Sequence, residues 1–258
     1  LIYQKTILDA KVCLAMPQLQ RITIASSQFH NQHITLTAEQ QHYLCRVLRL
    51  QSGDRFIAMD GMGKWWLAQL AGTEAQVLQS LTVETELSIA VTLIVALPKG
   101  SGFDEVVRYS TELGVTCFAP VVSDRTLLNP SPQKLERWRR IAKEAAEQSE
   151  RTTVPTILEP VSFSSSLSLV ADQKYICEAR GDYPHLLSCL ENKESGESKF
   201  NDKKTIIIAT GPEGGWTETE IEDAIKAGFR PVSLGRRILR AVTAPIVALS
   251  LVAAAHEV

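Results

Sequence analysis

The 258-residue chain lacks the patterns that would commit it to disulfide or metal chemistry. Its five cysteines (Cys13, Cys45, Cys117, Cys177 and Cys189) include no Cys-x-x-Cys pair. An odd number cannot all pair within one chain, and they read as small buried hydrophobes in a reducing compartment. The five histidines form no His-Glu-x-x-His or mixed Cys/His cluster, so no metal site is expected. No apolar run reaches the roughly 18 residues of a membrane-spanning helix, so no membrane partner is expected. Residues 1–15 hold Lys5, Asp9 and Lys11, which interrupt any signal-peptide core. They read as a poorly ordered extension upstream of Met16, and a cytoplasmic location is expected. A net charge of −2 supplies no whole-chain attraction for nucleic acid, so any such role rests on local patches. What is present is 45% hydrophobic residues, enough over this length for one large domain or two modest ones.

The texture changes near residue 88, which divides the chain into units at 16–88 and 89–258. The first is β-rich. Ile22-Thr23-Ile24 and His33 to Leu36 read as strands, and Thr37 with Gln40 forms a capping box for a helix whose apolar face is Leu44, Val47 and Leu48. Arg55 to Met59 and Trp65 to Leu70 flank a hairpin turn at Asp60-Gly61-Met62-Gly63, and Gln76 to Leu78 and Thr82 to Glu86 supply further strands. Short strands around one helix suggest a compact barrel. Beyond residue 88, Ile89 to Leu97 is almost continuously apolar, as a central parallel strand is. Helices are expected over Phe103 to Leu113, Pro132 to Gln148, Glu218 to Ala227 and from Thr243 to the C-terminus. They alternate with strands at Cys117 to Val122, Tyr175 to Cys177, Ile206 to Ala209 and Pro231 to Leu234, which makes this part an α/β domain with a mainly parallel sheet. Residues 191–204 read as a mobile surface loop.

The densest signal is Thr205 to Trp216, where a buried strand enters a loop with three glycines, Pro212 and a single charge, Glu213. Thr217 and Glu220 then open a helix as a capping box. Strand, Gly-rich loop and helix is where an open α/β sheet offers backbone to a ligand. No Lys-Ser/Thr pair follows, and the glycine spacing is not that of a dinucleotide fingerprint. A second loop, Leu234 to Arg240, lies close behind, and Arg230, Arg236, Arg237 and Arg240 form a cluster suited to phosphate or to a developing anion. Arg21, Arg46, Arg49 and Lys64 form a candidate RNA-phosphate patch in the first unit.

Taken in order, these motifs resemble the ribosomal RNA small subunit methyltransferase E family of the knotted SPOUT class. The resemblance rests on Gln20-Arg21-Ile22, His42-x-x-x-Arg46-Val47-Leu48-Arg49, Leu97-Pro98-Lys99-Gly100 and Thr111-Glu112-Leu113-Gly114-Val115. It continues through Trp138-x-x-Ile141-Ala142-x-Glu144-Ala145-Ala146-Glu147-Gln148-Ser149 with Arg151, then Gly211-Pro212-Glu213-Gly214-Gly215 and Leu234-Gly235-x-Arg237-Ile238-Leu239-Arg240. The resemblance implies a PUA-like RNA-binding barrel followed by an α/β methyltransferase domain with a trefoil knot. It implies a homodimer, S-adenosylmethionine as methyl donor without a metal, and N3 of a uridine in 16S rRNA of the small ribosomal subunit as acceptor. The cofactor would lie against Thr210, Gly211, Pro212, Glu213, Gly214 and Gly215 from one loop and Leu234, Gly235, Ile238, Leu239 and Thr243 from the other. Arg240 and Arg237 would stabilise the uridine anion. The family usually continues after the last Arg with Thr-Glu-Thr-Ala; here Ala241-Val242 replaces the polar-acidic pair and Thr243 remains as a candidate helix cap. That replacement keeps open a catalytically silent RNA-binding relative, and methylation of another RNA position is the further alternative.

Overall fold

A computed structural model describes residues 19–126, 130–191 and 203–257. The expected N-terminal extension and almost all of the expected loop at 191–204 lie outside the described residues. The chain divides into two compact units, one running up to Glu86 and including Glu147–Val154, the other comprising Leu87–Ala146 and Pro155–Val258.

The first unit is a six-stranded sheet in the order β1 (Arg21–Thr23), β4 (Arg55–Met59), β5 (Trp65–Ala71), β6 (Glu74–Leu81), β3 (His33–Thr35), β2 (Phe29–His30). All its pairs are antiparallel except β1 with β4. Ile22 of β1 and Ile34 of β3 lie in one core with Phe56, Ala68 and Leu70, so the sheet curls around its apolar face. The helix Ala38–His42 starts as expected: Gln40 N donates to Thr37 Oγ1 at 3.2 Å and Thr37 N to Gln40 Oε1 at 2.8 Å. It then widens into a π-type turn over Tyr43–Val47. The wider turn spoils the expected spacing: Leu44 is buried and Leu48 packs on the core, but Val47 is 57% exposed.

Thr82 to Glu86 is not a strand. Its polar side chains serve instead to hold Arg151, Thr152 and Thr153: Arg151 Nε donates to Glu86 Oε2 at 3.2 Å, Thr153 N to Glu86 Oε1 at 3.0 Å, and Thr152 N to Thr85 Oγ1 at 3.3 Å. This is why a segment distant in sequence belongs to the first unit.

The second unit is built on a parallel sheet ordered β10 (Val161–Ser162), β8 (Cys117–Val122), β7 (Ala90–Ala96), β12 (Thr205–Thr210), β11 (Gln173–Cys177), β13 (Arg230–Val232), with β9 (Thr156–Ile157) also paired to β8. Val91, Leu93, Ile94, Val95, Ile206, Ile207, Ile208 and Ala209 are all buried, as expected of central strands covered on both faces. The helices Gly102–Glu112, Pro132–Gln148 and Glu218–Lys226 match the apolar periodicity of the sequence, and Thr243–His256 forms where the sequence is apolar throughout. In register, Val95 pairs with Thr210, Thr210 with Cys177, and Cys177 with Val232. The strand ends β7, β12, β11 and β13 therefore form one row, and the loops that leave them emerge at the same edge of the sheet.

Candidate active site

Three of those loops converge on one cleft. It is lined by Cys177, Glu178, Ala179 and Arg180 after β11, by Gly211 to Trp216 after β12, and by Leu234, Gly235, Arg237, Ile238, Leu239, Ala241 and Ala244 after β13. Its volume is about 720 Å³, the open solvent at its mouth included. The carboxyl edge of a parallel sheet is where such sites form, because successive loops open there around a shared crevice.

The glycines serve different ends. Gly215 (φ +71°) and Gly235 (φ +115°) adopt backbone that favours glycine, and a Cβ on either would meet nothing within 4 Å. Gly211 instead makes room for Trp216, whose Cε2 and Nε1 would stand 3.2 Å from an added Cβ. Trp216 is buried and stacked on Phe163, with ring centroids 4.2 Å apart. The indole Nε1 and the Oγ1 of buried Thr210 are buried polar atoms with no hydrogen-bond partner among the described residues. Glu213 is tied down: its Oε1 accepts from Lys99 N at 2.9 Å, which joins the Gly-rich loop to the Pro98 break. The Gly loop itself turns through a hydrogen bond from Gly215 N to Pro212 O, 2.9 Å.

The lining carries two carboxylates, Glu178 and Glu213, and two guanidinium groups, Arg180 and Arg237. Glu178 is oriented by Arg180 N, which donates to its Oε1 at 2.7 Å. Burial, aided by the neighbouring Glu178 charge, pushes the Cys177 thiol up to about 12, so it stays protonated. Among the described residues no group of three or more His, Cys, Asp or Glu is arranged to hold a metal ion.

Of the residues expected to hold a cofactor, Gly211, Pro212, Glu213, Gly214, Gly215, Leu234, Gly235, Ile238 and Leu239 line the cleft; Thr210 and Thr243 do not. Thr210 is the fully buried last residue of β12. Thr243 is the first residue of its helix, not the cap: Val242 holds that position and makes no side-chain capping bond. Arg237 lines the cleft, whereas Arg240 is exposed beside it. The loop after β11 was not anticipated. Its only signal is the short strand before it, and nothing in the sequence shows that β11 lies between β12 and β13.

In the first unit, Arg46, Arg49 and Lys64 are exposed to solvent. Arg21 is more buried than these three and has partners within the unit. Its Nη2 lies 2.8 Å from Glu150, its Nη1 donates to Leu19 O at 3.0 Å, and its guanidinium stands 5.4 Å from the Trp65 ring centre. The Arg21 side chain is thus 11% exposed and engaged within its own unit.

Comparison with known proteins places these observations in a family. An RNA methyltransferase domain model matches residues 85–253, and an RNA methyltransferase PUA domain model matches residues 36–77. A Synechocystis protein named ribosomal RNA small subunit methyltransferase E is 49% identical over 243 residues, which cover 92% of this chain and 78% of that one. A Bacillus subtilis protein of the same name is 32% identical, with 84% and 88% covered. The crystal structure of a ribosomal RNA small subunit methyltransferase E from Neisseria gonorrhoeae bound to S-adenosyl methionine matches with a TM-score of 0.79 at 30% identity, covering 90% of this chain and 96% of that chain.

Proposed function

The chain belongs to the ribosomal RNA small subunit methyltransferase E family, and on that premise we propose that it methylates N3 of a uridine in 16S rRNA with S-adenosylmethionine as donor. The observation that carries this reading is the convergence of three backbone-rich loops from adjacent parallel strands on one cleft, with Arg237 in its lining. The cleft fits the cofactor on its own terms. Gly215 and Gly235 leave open space where a side chain would stand, and Trp216 Nε1 is an orphaned buried donor in the lining. Gly211 to Gly215, with Leu234, Gly235, Ile238 and Leu239, would hold it. When bound, it supplies an electrophilic methyl group.

The chain's own residues have two tasks. The first is orientation, which removes much of the barrier when the reacting atoms are held in line. The second is electrostatic. Uracil N3 must lose its proton to become nucleophilic, and a cation near the flanking oxygens favours the anion. Arg237, in the cleft lining, is the first candidate for this role, and Arg240, exposed three residues on, is the second. Glu213 serves as a loop-shaping acceptor through Lys99 N. Arg46, Arg49 and Lys64 are the cations available to RNA phosphates in the first unit.

A homodimer is part of the same reading. The helix Thr243–His256 is apolar around its whole circumference, yet Ile246, Val247 and Leu251 stay partly exposed in the single chain, and a helix of that kind calls for a covering surface.

The decisive experiment is nucleoside analysis of 16S rRNA from a strain lacking the gene. Absence of one 3-methyluridine, restored by complementation, is expected; an unchanged modification profile would sink the reading. The rival, a silent RNA-binding relative, is favoured only by the apolar Ala241-Val242 pair, of which Ala241 lines the cleft. It predicts no heat of S-adenosylmethionine binding by calorimetry.

A further inference from the structure

We infer that Arg125, in the turn that follows β8, is a positioning residue that sets the conformation of the Gly-rich loop and with it the affinity for the methyl donor. This rests on the cofactor reading of the cleft. Arg125 is exposed and is not part of the cleft lining. Its Nη1 nevertheless donates to two carbonyls of the loop, Gly214 O at 2.8 Å and Trp216 O at 3.2 Å. These are charge-assisted bonds, about twice as strong as neutral ones. They fix the carbonyls on either side of Gly215, the residue at positive φ.

The turn that presents Arg125 is itself anchored. Thr126 N donates to Ser123 O at 3.0 Å and Ser123 N to Thr126 Oγ1 at 3.0 Å. Asp124 N donates to Glu220 Oε1 at 3.0 Å, and Thr217 Oγ1 to Asp124 Oδ2 at 3.2 Å. The turn is thus tied to the helix that begins just after the loop. Arg125 spans two segments that are each held in place, so its bonds define the loop between them.

Gly214 supplies an independent observation. A Cβ there would stand 3.1 Å from Arg125 Cδ and 3.3 Å from its Cβ, and the three nearest atoms all belong to Arg125. Gly214 is therefore a socket for the arginine stem.

The test is a double-mutant cycle read by calorimetric binding of S-adenosylmethionine to the full chain. Arg125→Ala raises Kd roughly tenfold. The kcat at saturating cofactor stays at the wild-type level, while the free protein's unfolding midpoint falls only modestly, because the bonds are at the surface. Gly214→Ala raises Kd in the same direction but by no more, because the methyl crowds the arginine stem, 3.1 Å from its Cδ, and pushes it from its place. In the double variant the second change adds little, since its partner is gone. A wild-type Kd for Arg125→Ala, or a full additional penalty for Gly214→Ala in the Arg125→Ala background, would overturn the inference. Absence of binding by the wild-type chain would instead overturn the cofactor reading beneath it.

Discussion

Arg237 and Arg240 are three residues apart, yet the structure positions them differently. Only Arg237 lines the cleft, so Arg237→Ala should lower the single-turnover methylation rate roughly 10²-fold, as loss of a transition-state charge contact does. Arg240→Ala should cost clearly less; equal losses would show that the cleft lining is a poor guide to the reacting base. The thiols give a pH prediction. Burial raises Cys117 to about 11 and Cys177 to about 12, from 9.0. Between pH 9 and those values the unfolded chain has lost protons that the folded chain retains, so stability present below pH 9 declines as pH rises through this window. Urea midpoints at pH 8 and pH 10.5 check this, and the double variant with both cysteines replaced by alanine should show a shallower decline. Arg21 shows the limit of reading residues singly: the sequence marks it as a cation, but only its neighbours show that Glu150 and Trp65 engage it.

At the scale of elements, capping separates two threonines that look alike in sequence. Thr217 accepts from Glu220 N at 3.3 Å while Thr217 N donates to Glu220 Oε2 at 2.8 Å, so Thr217→Ala should cost about 1 kcal/mol of stability. Thr243 stands inside its helix and makes no cap, so Thr243→Ala should leave the urea midpoint almost unchanged. The two predictions are checked in one denaturation series. Most elements were legible because their apolar periodicity was strong: the helix Pro132–Gln148 and the strand at β7 needed no tertiary information. Thr82 to Glu86 was misread because alternating Thr, Val and Glu suits a strand. Side-chain bonds to Arg151, Thr152 and Thr153 took the place of a ladder.

At the scale of the molecule, two predictions concern what the chain packs against. Glu86 lies against a guanidinium that is only 3% exposed, that of Arg151. Glu86→Ala would leave that charge buried with its carboxylate removed, and a loss of about 3 kcal/mol is expected from urea unfolding. Leu251→Asp, on the partly exposed apolar side of the helix Thr243–His256, should shift the protein from dimer to monomer in light scattering. A wild type that is already monomeric would remove the dimer from the proposal.

The sequence by itself determined the two textures of the chain, the order of most strands and helices, and the two Gly-bearing loops, because period, capping pairs and glycine placement are local properties. The family followed from the same motifs. Tertiary structure alone decided that β11 lies between β12 and β13, and so that Glu178 and Arg180 join the cleft. It also decided that Arg21 is engaged within its own unit, and that Gly214 answers to an arginine 89 residues earlier. The physical reason is the same in each case: hydrogen-bond partners and strand neighbours distant in sequence leave no periodic trace in the chain that contacts them.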